Sequence, residues 1–195
     1  YCCRSLNDFI IPDQIEYICK YSFADCTSLI NISIPDKIVT ISKASFQNCN
    51  GLEIVEIGNN VEYIEEYAFS GCESLNSISF NDKIKSIGDH AFDSCKSLNG
   101  NLEIPTSIEM LGKSSFSLTN YSTVTFYGDT EPNCSDAFLN CHGLYAIVGS
   151  NYSDTDFCGV DFLPTKQFTY SNFFSYSTCF TNSDIFSFSS DFSDS

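Results

Sequence analysis

Eleven cysteines, two histidines and a surplus of carboxylates are the residues of this 195-residue chain whose chemistry could go beyond packing. Thiols can ligate metals, pair as disulfides or attack a substrate, and a carboxylate beside a histidine can move protons. Spacing argues against most of this. A zinc centre needs close pairs such as C-x-x-C, or closely spaced Cys and His, and none is present, so neither a metal nor another cofactor is expected. There is no G-x-S-x-G, H-E-x-x-H, P-loop or G-x-G-x-x-G, so no catalytic residue is assigned and the chain reads as a non-enzyme. His90 and His142 occupy positions that equivalent segments fill with Tyr67, Ala44, Glu73 or Lys96, which marks them as surface residues. Glu62, Glu65 and Glu66 read as a solvated acidic edge rather than an acid and base pair.

The cysteines instead mark a period. Phe23/Cys26, Phe46/Cys49, Phe69/Cys72 and Phe92/Cys95 share the pattern Phe-x-x-Cys in steps of 23 residues, and Phe138/Cys141 repeats it. Phe116 keeps the phase with Thr119 in place of the cysteine, and Cys3 with Leu6 falls one period before Cys26 with Leu29. Apolar pairs follow in register: Phe9/Ile11, Ile32/Ile34, Val55/Ile57, Ile78/Phe80, Leu102/Ile104 and Val124/Phe126. The unit is L-x-x-I-x-I-P-x-x-I-x-x-I-x-x-x-[A/S]-F-x-x-C-x-x, and about six and a half copies cover residues 1–149. It loosens late, with an extra residue at Gly100 or Asn101 and a step of only 22 between Phe116 and Phe138.

Each unit must fold in a way that buries its apolar side against its neighbours. The alternation in L-x-x-I-x-I predicts a short, half-buried strand, and one strand per repeat stacks into a parallel sheet. Pro12, Pro35 and Pro105 end that strand, since a ring without an N–H cannot continue the pairing. The next I-x-x-I predicts a second short strand, and the A-F-x-x-C segment a single helical or 3₁₀ turn. The ladder Phe23, Phe46, Phe69, Phe92, Phe116 and Phe138, with Cys3, Cys26, Cys49, Cys72, Cys95 and Cys141, is expected to form the core. Rungs about 4.8 Å apart are too far for a disulfide, so the ladder thiols are expected to be free. Cys2, Cys19, Cys134, Cys158 and Cys179 lie off the ladder, and a pairing near the end of the array, for example Cys158 with Cys134 or Cys141, is open.

The consensus, with its Ile-Pro, its Ile87-Gly88 and its Ala68-Phe69-x-x-Cys72 and Ala91-Phe92-x-x-Cys95, resembles the BspA-like leucine-rich-repeat proteins. The resemblance spans residues 1 to about 149, and Asn151-Tyr152 to Phe157-Cys158-Gly159-Val160 looks like that family's usual end to an array. It implies a right-handed solenoid on cell-surface proteins of mucosal bacteria and protists, acting in adhesion and host contact. It carries no catalytic residues and fixes no ligand.

A binding face follows from the alternation, because outward strand positions are free of the core. They are Asp8/Ile10, Asn31/Ser33, Ile54/Glu56, Ser77/Ser79, Asn101/Glu103 and Thr123/Thr125. A second outward column holds Tyr17, Thr40, Tyr63, Ser86 and Met110, where Tyr17 and Tyr63 beside acids could grip a basic protein. A net charge of −16 makes nucleic acid a poor partner, so protein ligands, including host or matrix proteins, are expected. Sequons at Asn31, Asn120, Asn133 and Asn151 suit a surface location. No apolar run nears the roughly 18 residues of a membrane span, so membrane attachment would need an anchor outside this chain. Without an initiator Met or a leader, the chain reads as a fragment or a processed form.

Residues 150–163 read as the end of the array. Residues 164–195 form a low-complexity tail in which Phe168, Phe174, Phe180, Phe186 and Phe192 recur every six residues among Ser and Thr, read as a loosely extended stalk. Two functions follow: an extracellular adhesin or surface antigen, or an intracellular repeat scaffold whose free thiols suit a reducing compartment.

Overall fold

The computed structural model describes residues 3–134 and 136–162. The expected stalk lies outside these residues, as do Cys2 and Cys179. Ten short strands follow in order: β1 (Asn31–Ser33), β2 (Thr40–Ile41), β3 (Ile54–Glu56), β4 (Tyr63–Ile64), β5 (Ser86–Ile87), β6 (Asn99–Ile104), β7 (Met110–Leu111), β8 (Asn120–Phe126), β9 (Asn133–Cys134) and β10 (Tyr145–Val148). Every ladder between these strands is parallel, joining residues one repeat apart, such as Ile32 to Val55 and Ile41 to Ile64. The chain is therefore a solenoid of stacked turns with two strand-bearing sides. One carries β1, β3, β6, β8 and β10, and the other is the five-stranded sheet β2-β4-β5-β7-β9.

Pro35 and Pro105 stand just beyond the strand on the first side, where the chain turns the corner toward the second. The third side differs from expectation. The A-F-x-x-C segments form neither helix nor 3₁₀ turn among the described residues, but pairs of tight turns. The reason is local: Ala44, Tyr67, His90 and Ser114 have φ of 52 to 58°, and Asn48, Gly71, Ser94, Leu118 and Asn140 are left-handed as well. Two left-handed residues per turn interrupt any helical hydrogen-bond run. The freed amides bond to the next rung instead. Phe46 N–H donates to Ala68 O at 2.9 Å, Phe69 to Ala91 at 2.8 Å and Phe92 to Ser115 at 2.7 Å.

The phenylalanine ladder runs inside that side. Ring centroids from Phe23 through Phe46, Phe69, Phe92, Phe116 and Phe138 are 5.1 to 5.5 Å apart and nearly parallel. Phe46, Phe69, Phe92 and Phe116 are fully buried, each worth about 2 to 3 kcal/mol of apolar burial. Phe23 is half-buried, having Phe46 as its only ladder neighbour. Cys26, Cys49, Cys72 and Cys95 are buried free thiols, and Cys141 is a half-buried one. Cys3, expected in the core, is exposed, because the first described turn has a neighbour on one side only.

The ladder thiols also hydrogen-bond. Four Sγ atoms donate to the carbonyl of the ladder phenylalanine one turn earlier: Cys49 to Phe23 at 3.0 Å, Cys72 to Phe46 at 3.2 Å, Cys95 to Phe69 at 3.2 Å and Cys141 to Phe116 at 3.1 Å. Thr119 fills the cysteine position with a hydroxyl that donates to Phe116 O within its own turn.

After β10 the chain folds back. Phe157 packs on Phe126 and Phe138, and Ala146 N–H donates to Asp161 O at 2.8 Å along the outer edge of the last strand. Cys134 pairs with Cys158 in a disulfide, tying this segment to β9.

Candidate protein-binding face

The first strand side brings together the outward residues expected from alternation. Asp8, Asn31, Ile54 and Ser77 are bridged rung to rung, as are Asn101, Thr123 and Tyr145 beyond them. Ser33 pairs with Glu56, and Glu103 with Thr125. Asn31, Ser33, Ile54, Glu56, Ser77, Ser79, Asn101 and Glu103 are exposed, and Thr123 is half-buried. Thr125 is a correction: it is 6% exposed. Its hydroxyl and that of Thr123 both donate to Asn101 Oδ1 at 2.8 Å, so the three side chains close on one another. Tyr145 and Ile147 continue the two columns onto β10 and were missed, although the same two-residue period reaches them.

This face is broken once. The unit leading into β6 has 24 residues, and the register of β6 on β8 shifts between Gly100 and Asn101, passing over Ser122. Gly100 has φ +78°, a conformation that costs glycine least. Beside the bulge, residues 77–80 form no named strand, and only the bridge from Ile54 to Ser77 links them to the turn before. Consequently β6 pairs with β8 alone. Phe80 stands where other units have Ile34 and Ile104, and its ring meets Phe92 and Phe116 edge-on at 5.8 and 6.3 Å. Along the break runs an open groove of about 560 Å³ with Ser77, Ser79, Phe80, Asp82, Asn101, Glu103, Thr125 and Tyr127 among its walls.

Tyr17 and Tyr63 lie apart from this face. Tyr63 belongs to the second sheet, in the column Thr40, Tyr63, Ser86, Met110 and Asn133. Tyr17 is 81% exposed beside Val39 and Thr40 at the same side of the molecule. Lys85 Nζ stands 5.8 Å over the Tyr63 ring and 2.6 Å from Glu62 Oε2. Glu62 and Glu66 hydrogen-bond Lys85 and Lys43, which holds both carboxyls below the usual range. Glu65 accepts from Lys43 N–H at 2.7 Å. These acids are thus engaged across neighbouring turns, with Lys96 and Glu73 forming a third pair at the same 23-residue spacing. His142 is exposed, and His90 is half-buried, stacked on Tyr67 at 4.9 Å with Nδ1 3.0 Å from Asp93 Oδ2.

Of the sequon residues, Asn31, Asn120, Asn133 and Asn151 are all exposed. Asn120 Nδ2 donates to Lys96 O at 2.6 Å, whereas Asn151 lies in a turn. Asn31 sits within the strand face itself.

Sequence spacing pointed to no metal-ligating group, yet Glu131, Cys134 and Cys158 converge with their ligand atoms within 4.8 Å of one another. They are brought together by the fold-back, not by any local motif. The two sulfurs are joined to each other, and Glu131 Oε1 accepts from Cys158 N–H at 2.5 Å. The group serves to hold the end segment.

A family profile for the BspA type leucine-rich repeat region, in six copies, matches residues 1–100 and 40–154. No curated protein matches the chain at a significant level. Among solved structures, a leucine-rich-repeat protein of T. pallidum is 26% identical, with a TM-score of 0.62 over 73% of this chain and 68% of that one. A leucine-rich cell surface protein from Faecalibacterium prausnitzii is 21% identical, with a TM-score of 0.54 over 74% of this chain and 47% of that one. Over stacked turns of this kind the family profile covers most of the chain, whose repeats are those of a protein-interaction scaffold, and the chain belongs to the BspA type leucine-rich-repeat family.

Proposed function

We propose that this chain is a non-enzymatic recognition module of a cell-surface adhesin or surface antigen, binding host or matrix proteins through the first strand side of the solenoid. The observation that carries this reading is the row of exposed Asn, Ser, Ile and Glu side chains on β1, β3, residues 77–79 and β6, none of which the core requires. Such a surface offers variable chemistry on a rigid repeat frame, which is how solenoids build extended binding faces. The name of the F. prausnitzii neighbour, a cell surface protein, agrees with this placement. So does the Cys134–Cys158 disulfide, since such bonds persist in oxidising surroundings. That bond favours the surface reading over an intracellular scaffold.

Serum raised against residues 1–149, applied to intact and to permeabilised source cells, tests the location. Labelling of intact cells is expected. Signal only after permeabilisation overturns the adhesin reading. Recognition is tested with the full chain on immobilised fibronectin, laminin and collagen, comparing it with a Ser33→Arg/Glu56→Arg variant. Saturable binding to at least one, lost in the variant, is the expected result.

A further inference from the structure

We infer that the groove beside the Gly100/Asn101 bulge is a docking site for an extended, basic peptide segment of the partner protein. The inference rests on the reading of the strand side as the recognition face and adds the chemistry of the occupant.

Three features of the groove converge on that occupant. The first is backbone. On this side β1 pairs with β3, and β6, β8 and β10 pair in turn, but among the described residues the edge of β6 facing residues 77–80 has no ladder partner. An unpaired strand edge offers hydrogen-bonding groups to an extended chain, the mode by which many recognition domains hold peptides. The second is charge. Asp82 and Glu103 are exposed groove residues that form no ion pair or side-chain hydrogen bond among the described residues, and no described Lys or Arg lines the groove. This sets them apart from Glu62, Glu66 and Glu73, each neutralised by a lysine one turn away. The third is the wall. Tyr127 is 56% exposed and Phe80 half-buried, so an aromatic surface lies beside the two carboxylates, the setting in which a Lys or Arg stem packs and its charge is held.

The groove lies where the strand ladder of this side is interrupted between residues 77–80 and β6. The unit leading into β6 is one residue longer than the 23-residue units before it, and the pairing of β6 with β8 shifts register at Gly100/Asn101, passing over Ser122. The tail of the chain itself is a poor occupant on charge, because residues 163–195 hold Asp184, Asp191 and Asp194 against Lys166.

The test is a titration of the ¹⁵N-labelled full chain, at low and at physiological salt, with an acetylated and amidated octapeptide of alternating Thr and Lys. Its counterpart with Glu for Lys is titrated in parallel. Saturable shifts at Ser79, Glu103 and Tyr127 with the Lys peptide alone are expected, weakened at least tenfold in Asp82→Asn/Glu103→Gln, whose substitutions lie on exposed side chains. Equal response to both peptides overturns the charge argument. Shifts confined to Asn31, Ser33 and Glu56 place recognition elsewhere on the face and overturn the groove. Concentration-dependent groove shifts without peptide would assign it to a second copy and overturn the inference. Matrix binding that persists in Asp82→Asn/Glu103→Gln, yet is lost in Ser33→Arg/Glu56→Arg, leaves the broader reading standing while this one falls.

Discussion

At the scale of single residues, the ladder thiols combine two effects that usually oppose each other. Burial pushes the Cys49 thiol up to about 12 and drives Cys72 and Cys95 upward as well, while the hydrogen bond each donates keeps it useful as a donor. A thiol whose folded value lies above its ordinary 9.0 stays protonated when folded and ionises when unfolded. The unfolded state then binds fewer protons, so stability falls as pH rises. The stabilisation is complete below about pH 9 and is lost between there and about 12 for Cys49. Each such group contributes at most about 1.4 kcal/mol per pH unit across that window. Tyr121, whose phenol burial also raises, acts in the same direction. Urea midpoints should therefore drop between pH 8 and pH 10, and the drop should be smaller in Cys49→Ala. Alkylation read by mass spectrometry supplies the complementary view: Cys3 and Cys19, both exposed, react in the native state, whereas Cys49, Cys72 and Cys95 react only on unfolding. A flat profile, or native reactivity at Cys72, contradicts the ladder's burial.

At the scale of elements, the strands were legible in the sequence and the turns were not. Period-two alternation in L-x-x-I-x-I marks which residues face inward, and the proline position marks where the strand stops, because both signals follow from backbone geometry alone. The Gly100/Asn101 irregularity was equally visible as a residue count. The turn carrying Phe and Cys was not legible, since Ala44, Tyr67, His90, Leu118 and Asn140 share no residue type that announces positive φ. Gly71, Asn48 and Asn140 favour it at one position, but Ser94 and Leu118 stand there in other units, so no consistent signal emerges. Rung-to-rung hydrogen bonding enforces these conformations from outside the segment. The groove escaped for a related reason: alternation names the outward residues but not the loss of pairing between neighbouring strands. One consequence is a testable strain. Leu118 is exposed with φ 57°, a conformation costing a branched side chain roughly 1 to 2 kcal/mol. Leu118→Gly removes that cost but gives up the covered half of the leucine and adds the entropy of an unfolded glycine, for a net gain of at most about 0.5 kcal/mol. A raised thermal midpoint supports the argument; a lowered one would show that the leucine packs against something the turn needs.

At the scale of the whole molecule, stability is a chain of nearest-neighbour couplings, so it must be lowest where a turn has one neighbour. The interior turns containing Phe46, Phe69 and Phe92 are covered on both sides, while Phe9 and Ile10 in the first described turns are exposed. The two ends differ in how they are closed. Toward the C-terminus, Phe157 covers Phe126 and Phe138, and the Cys134–Cys158 bond fixes that cover by closing a span of 24 residues. A loop of that size contributes about 3 kcal/mol through the unfolded ensemble. Because coupling passes only between adjacent turns, reduction should act locally before it acts globally. Hydrogen exchange of the oxidised chain is expected to be slowest at Phe46, Phe69 and Phe92, fastest before Leu29, and intermediate across β9 and β10. Reduction by a dithiol should accelerate exchange from Asn133 to Phe162 strongly and from Thr40 to Ile64 hardly at all. Uniform acceleration along the chain would instead mean that the array opens as one cooperative block, and that its ends carry no separate stability.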